Sequence, residues 1–325
     1  MAKILTGIQS TGTPHLGNLL GAIIPAINIS TLPGNESFLF IADLHSATQI
    51  KNAETLKNNT LSTAAAWLAC GLDTDKVVFY RQSDVAQTAE LAWYLSCFFP
   101  FQRLTLAHSF KDKADRLEDV NAGLFSYPML MAADILLYDV DFVPVGKDQL
   151  QHIEITRDVA SRFNHQMGET FVLPEAKVGE DTMLIPGTDG HKMSKSRGNI
   201  INIFVDDKTL RKQIMSIETD STPLEEPKDP ETCKVFALYR LLADEGQQNL
   251  MREKYRNPAR DFGYGHAKQA LFELMLTRFE TERARYQYFM AHPEQVEALL
   301  LAGAAKAAQT ANKVLTRVRQ KLGYR

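Results

Sequence analysis

Two hydrophobic periods alternate along the first two hundred residues, and this alternation limits the chain to few folds. Ile4-Leu5-Thr6-Gly7-Ile8, Phe38 to Ala42, Val77 to Tyr80 and Asp141 to Val145 read as strands. Between them Leu16, Leu19, Leu20, Ile23, Ile24 and Ile27 recur at helical spacing. Ala53 to Cys70, closed by Gly71, and Thr88 to Phe99, closed by Pro100, do the same. Strands separated by helices predict an α/β architecture with a doubly wound parallel sheet, whose ligands gather at the carboxyl ends of the strands. After Asp206 the strand signals stop. Helical stretches follow, interrupted by Pro223, Pro227, Pro230 and Gly263-Tyr264-Gly265, and predict a C-terminal all-helical domain. Ala267 to Phe289 and Val296 to Leu322 read as two long helices, the second with Ala302-Gly303-Ala304-Ala305 for close packing.

The polar residues sit where such a sheet would use them. After the first strand, Thr13 suits an N-cap and Pro14 a first helical position. His15 then lies in the first turn, where backbone N–H groups and the helix dipole favour phosphate, and Gly17 lets a planar base approach the backbone. A polar cap with an exposed histidine would look the same. His45 follows the second strand and Arg81-Gln82-Ser83 the third; a structural role for His45 is an equal reading. Gly146-Lys147-Asp148 follows the fourth strand and a helix runs from Gln149 to about Phe163, so Asp148 suits a ribose hydroxyl and Gln149 faces the same crevice. After a further strand-like Met183-Leu184-Ile185, the turn Pro186 to Gly190 delivers His191-Lys192-Met193-Ser194-Lys195-Ser196-Arg197-Gly198-Asn199 on a loop. Two lysines among hydroxyls and glycines suit a mobile anion clamp. If that loop and the His15 turn face one crevice, they surround one polyphosphate, as attack on the α-phosphate of ATP requires.

Asp134 is a lone carboxylate in the apolar helix predicted to begin at Pro128, with Tyr127, Leu130, Met131 and Tyr138 on its face. Buried, it needs a donor, either from the core or from an aromatic ligand; the pattern does not choose between them. Phe101 to Asn121, with Arg103, Lys111, Lys113 and Arg116, reads as an exposed helical excursion.

Composition limits the rest. The apolar runs are too short to span a bilayer, and the N-terminus enters a strand without a signal-peptide pattern, so a cytoplasmic location is expected. Cys70, Cys97 and Cys233 are scattered in helical patterns and read as reduced, buried thiols. The net charge is −3, but Glu231 to Arg325 holds 16 Lys+Arg against 10 Asp+Glu, leaving −9 for the first 230 residues. A basic C-terminal third attracts polyanions, although a solvated helical face explains it as well.

Together these motifs resemble the class I aminoacyl-tRNA synthetases, most closely the bacterial-type tryptophanyl family. Thr13-Pro14-His15-Leu16-Gly17-Asn18 is similar to the HIGH-type signature, and Lys192-Met193-Ser194-Lys195-Ser196 matches the KMSKS signature without a change. Ala122-Gly123-Leu124-Phe125-Ser126-Tyr127-Pro128, Met131 to Tyr138 and Val143 to Gln149 resemble the family's amino-acid pocket. Ser10, often proline in the family, Lys147, often acidic, and the stretch Ile185 to Gly190 depart from the usual pattern.

The resemblance implies a Rossmann-like catalytic domain over residues 1–205, a helical anticodon-binding domain over 206–285, and a C-terminal helix over 286–325 that packs back on the catalytic domain. It implies L-tryptophan, ATP with Mg²⁺, and tRNA(Trp) as reactants, with no dedicated metal site, and a homodimer away from membranes. Lys192, Lys195, His15 and Asn18 would be catalytic. Gln9, Ser10, Thr11, Gly17, Gly146, Lys147, Asp148, Ile185, Met193, Ser194 and Ser196 would join them around ATP. Asp134 would accept the indole N–H, with Tyr127, Met131, His45, Gln149 and Gly7 around the substrate. Three rivals remain: a tyrosyl synthetase, since Asp134 could accept from a phenol; another HIGH-bearing nucleotidyltransferase; and a non-catalytic RNA-binding paralogue.

Overall fold

The computed structural model describes residues 2–105, 120–178, 185–257 and 262–325. Strand β1 (Ala2–Ile8) leads into a helical run α1, built from Leu16–Asn18, a π turn Leu19–Ile23 and Ile24–Ser30. Then come β2 (Asn35–Ile41), α2 (Asp43–Ser46), α3 (Ala53–Ala69), β3 (Val78–Arg81), α4 (Gln87–Phe98), α5 (Phe101–Thr105), α6 (Ala122–Leu136), β4 (Phe142–Val145), α7 (Leu150–Met167) and β5 (Glu175–Val178). Helices α8 (Asp207–Met215), α9 (Lys234–Tyr239), α10 (Glu245–Arg256), α11 (Tyr264–Arg278), α12 (Glu280–Ala291) and α13 (Pro293–Leu322) complete the chain. The π turn has a local cause. Pro25 offers no N–H to close an α turn, and the Ile24 N–H reaches back to the Leu19 carbonyl.

The sheet order is β3-β2-β1-β4-β5, and every neighbouring pair is parallel, as expected. From β1 the chain first builds outward through β2 and β3, then returns to add β4 on the other side. A crevice therefore opens at the carboxyl ends of β1 and β4. Alternate residues face opposite layers. Leu39, Ile41 and Phe79 pack with α1, α3 and the helices after Asp206. Phe38, Phe40, Tyr80 and Val143 pack with α4, α6 and α7.

Helix α13 covers the edge strand β3. Arg81, at the end of β3, pairs with both Asp84 and Glu297 of α13, its Nη2 lying 2.9 and 2.8 Å from their carboxylates. A β-carbon on Gly303 would lie 1.7 Å from the Phe79 carbonyl oxygen, well inside contact distance. Gly303→Ala must therefore push the helix off the strand, and we expect a loss of more than about 2 kcal/mol, read as a lower denaturant midpoint. A midpoint at the wild-type value would show that the helix is free to shift.

Several expectations are corrected. A fifth strand at Glu175–Val178 was not anticipated; of the strand-like Met183-Leu184-Ile185, Met183 and Leu184 lie outside the described residues, as do Lys111, Lys113 and Arg116. Arg103 lies on α5 and pairs with Asp158. Pro128 sits inside α6, which starts six residues earlier with Asn121 as its cap, its side chain accepting from the Leu124 N–H. The helix predicted over Ala267 to Phe289 is two, because Phe279 leaves helical geometry at φ −113° and ψ 19°. Cys97 is exposed and Cys70 half-buried; Cys233 alone of the three is buried.

Candidate active site

The crevice holds a cavity of about 1000 Å³, walled by the first turn of α1 on one side and the Lys192–Ser196 loop on the other. The two signatures meet directly. The Gly17 N–H points at the Met193 sulfur at 3.3 Å, and the Leu16 N–H donates to the Ile201 carbonyl at 2.8 Å. A β-carbon on Gly17 would come within 3.0 Å of the His15 ring and 3.2 Å of Met193, so glycine here permits the loop to dock. The N-cap is His15 itself, not Thr13. Its Nδ1 accepts from the Asn18 N–H at 3.3 Å, while the Asn18 side chain accepts from the His15 N–H at 3.1 Å. An imidazole nitrogen can replace a hydroxyl as the cap acceptor, and Asn18 three residues on completes the capping box.

Of the residues expected around ATP, Gln9, Thr11, Gly17, Asn18, Gly146, Lys147 and Ile185 line this cavity together with Lys192 to Ser196. Ser10 does not: it is fully buried, its N–H and hydroxyl spent on Ser46, with Thr60 also bonding its oxygen. The contact expected of it with ATP is thus corrected to a structural tie between the β1 end and α2. The side chain of Asp148 lies outside the described residues. Gly12, Pro14 and Gln49 also line the cavity and were not anticipated. Gly12 adopts φ +130°, and the Lys195 ammonium lies 3.1 Å from where its β-carbon would stand, so a side chain there would be both strained and crowded.

Charge in the crevice is tuned by burial. Desolvation, helped by Lys195, pushes His15 down to about 4, so the ring is neutral near pH 7. With Nδ1 accepting, the proton sits on Nε2 as a hydrogen-bond donor. Desolvation pushes the Lys195 ammonium down to about 8, leaving it charged at neutral pH but close to titration.

Of the residues expected around the amino acid, Asp134, His45 and Tyr127 meet in a second cluster outside the cavity lining. Asp134 is 2% exposed. Its donors are already present: Gln82 Nε2 reaches both carboxylate oxygens at 2.8 Å, and His45 Nε2 lies 3.0 Å from Oδ2. Both are protein groups, so the helix carboxylate is satisfied from the ends of β2 and β3, not by an arginine. Burial raises its carboxyl above the ordinary range, and the His45 and Gln82 bonds oppose this. Asp43 staples the two donor-bearing strand ends together, accepting from the Ser83 N–H at 3.0 Å and from the Ser83 hydroxyl at 2.5 Å. The role of Gln82 was the one missed: it stands with Arg81 and Ser83 at the end of the third strand, and nothing in that run distinguishes it from them.

Tyr127 is buried, its hydroxyl 3.2 Å from His152 Nε2, and its ring meets His45 edge-on at 6.1 Å. Met131 and Gln149 are half-buried. Gly7 faces the Phe40 ring, which lies 2.3 Å from where a β-carbon would be. Phe40 stacks on Tyr80 and Phe38 on Tyr138, making an aromatic wall beside Asp134. None of Asp134, His45, Tyr127, Met131, Gln149 and Gly7 lines the cavity itself.

The family model "tRNA synthetases class I (W and Y)" matches residues 1–280. A tryptophan–tRNA ligase of Campylobacter jejuni is 46% identical over 321 residues, covering 99% of both chains. The chain belongs to the tryptophanyl family of class I tRNA synthetases. A Rhodopirellula baltica tryptophan–tRNA ligase is 45% identical over 99% of this chain and 100% of its own. Among solved structures, the Campylobacter jejuni tryptophanyl-tRNA synthetase complexed with ADP and tryptophan superposes with a TM-score of 0.94 at 45% identity, covering 99% of each chain. That of Mycoplasma pneumoniae superposes at 0.82 with 30% identity, over 100% of this chain and 98% of its own. A tyrosyl-tRNA synthetase from Archaeoglobus fulgidus, at 18% identity and 0.64, shares the fold alone. Family membership thus favours the tryptophanyl over the tyrosyl reading where the chemistry of Asp134 could not. No helix among the described residues is long and apolar enough to cross a membrane.

Proposed function

We infer that the chain activates L-tryptophan with ATP to tryptophanyl-adenylate, releasing pyrophosphate, and transfers the tryptophanyl group to the 3′ end of tRNA(Trp). The observation that carries this reading for the crevice is the meeting of Gly17 and Met193, 176 positions apart, at the wall of one cavity. The tryptophan carboxylate is ionised at neutral pH and needs no general base. The residues therefore act by positioning and by offsetting charge. Lys195 and Lys192 meet the negative charge that grows on the leaving pyrophosphate, while the neutral His15 donates from Nε2 and Asn18 holds the turn. Gln9, Thr11, Gly146 and Lys147 bound the nucleotide. Three donations to Asp134 leave lone-pair capacity on a carboxylate, which offers about four acceptor sites. The remaining capacity accepts the indole N–H.

Among the described residues no three His, Cys, Asp or Glu side chains converge as a metal cage. Mg²⁺ would arrive as its ATP complex, held by phosphate oxygens. The helices after Asp206 offer the basic surface for the anticodon arm, and residues 286–325 brace the sheet. The active form is a cytoplasmic homodimer.

Amino-acid-dependent ATP–pyrophosphate exchange with each of the twenty amino acids tests the reaction. Exchange driven by tryptophan alone is expected; exchange driven by another amino acid, or none with tryptophan, overturns it. The pH profile adds a check on Lys195. Its charge is present below its shifted value and lost as pH climbs through it. Exchange kcat/KM for ATP should fall above about pH 8. Lys195→Arg, whose guanidinium does not titrate there, should lose that fall. A wild-type profile flat to about pH 9.5 would remove Lys195 from the charge-bearing role.

A further inference from the structure

Behind the lysine loop lies a side chain that touches neither reactant cavity nor bulk water. Asn199 is 3% exposed. Its Oδ1 accepts from the Ser194 N–H at 2.8 Å, and its Nδ2 donates to the Lys192 carbonyl at 3.2 Å and to Asp189 Oδ1 at 2.7 Å. One amide thus holds both shoulders of Met193, the residue whose sulfur meets the Gly17 N–H. The arrangement is built from several sides. The Thr188 N–H donates to the Asn199 carbonyl at 3.0 Å, and Asp189 Oδ1 also accepts from the His191 N–H at 2.9 Å. A β-carbon on Gly187 would lie 2.4 Å from the Asn199 amide, so the turn can close over it only as glycine. The Asn199 amide is also the foremost cause holding the Asp189 carboxyl below its ordinary range.

We propose that Asn199 and Asp189 form a latch that positions Lys192 and Lys195 against the first turn of α1. Asn199 is a positioning residue: it acts through the backbone on each side of Met193. The geometry demands one side chain that both donates and accepts. Aspartate lacks the donor, and an aliphatic residue lacks both. With the latch open, the lysines keep their charge but lose their place. The penalty then falls on the transition state more than on substrate binding. This inference rests on the reading of the crevice as the site of adenylate formation.

The test is a charge swap. Asn199→Asp sets two carboxylates against each other and removes both donations. Asp189→Asn with Asn199→Asp restores a donor and an acceptor across the same contact. In tryptophan-dependent exchange, Asn199→Asp should lower kcat at least about ten-fold, with the KM for tryptophan near wild type, since small misplacements are costly in such chemistry. The double variant should recover part of that loss, because the contact between positions 189 and 199 is restored while the Lys192 carbonyl still lacks its donor. Trypsin gives a readout independent of turnover. Cleavage after Lys192, Lys195 or Arg197 should quicken in Asn199→Asp and slow again in the double variant, with the rest of the chain intact. Wild-type kcat in Asn199→Asp, or a double variant no faster than Asn199→Asp, overturns the latch. Failure of the wild-type protein to exchange overturns the reading of the crevice instead, and the trypsin result then still judges the latch.

Discussion

Lys195→Ala should lower the rate of tryptophanyl-adenylate formation by about 10²–10³-fold while leaving tryptophan affinity nearly unchanged. The ammonium stands beside Gly12 and close enough to His15 to lower its basicity, so it belongs to the wall of the cavity, not to the solvent. Its partial burial makes each unit of phosphate charge it meets count for more than at an exposed site. That charge is greatest as the α–β bond of ATP breaks. Removing it should therefore appear in kcat for exchange and only weakly in the equilibrium binding of tryptophan, measured by fluorescence or calorimetry. Matched losses in both would mean that Lys195 contributes to uniform binding or to folding.

Asp134→Asn should narrow the preference for tryptophan over phenylalanine by about 10²-fold or more, measured as the ratio of kcat/KM in exchange. The carboxylate accepts from Gln82 and His45 at once. An asparagine must turn its NH₂ toward one of those donors, leaving a buried donor-to-donor contact worth about 1–3 kcal/mol. Its single amide oxygen also brings about two acceptor sites in place of the carboxylate's roughly four, leaving less to offer an indole N–H. Phenylalanine, lacking that donor, loses less. Unchanged discrimination against phenylalanine and tyrosine would take Asp134 out of the amino-acid pocket. It would leave Asp134 as a core carboxylate held by Gln82 and His45.

The legible parts of the site were those whose chemistry is local. A strand followed by a helix start that carries a histidine is a contiguous pattern, although the cap falls on His15 and not on Thr13, and the lysine loop is contiguous too. Both line the cavity as they stand. Ser10 was misjudged because its neighbours Gln9 and Thr11 do line it, and only the packing of α2 and α3 turns its hydroxyl inward to Ser46 and Thr60. Asp134 could be read as needing a donor, but which donor depends on where β2 and β3 end in space. Gln82, 52 positions away, carries no mark in its own neighbourhood that singles it out. The split between α11 and α12 escaped notice because apolar residues continue in helical phase across Phe279; its backbone bends there as the ring enters the core.

The periods of the hydrophobic residues, the caps and the glycines determined by themselves that the chain alternates strands with helices and carries phosphate-type loops at strand ends. These features depend on interactions within a few residues. The tertiary structure alone decided which loops share a cavity, which groups satisfy Asp134, and why Gly303 and Gly187 can bear no side chain. Those depend on contacts between segments far apart along the chain, and sequence spacing carries no information about distance once the backbone has folded back on itself.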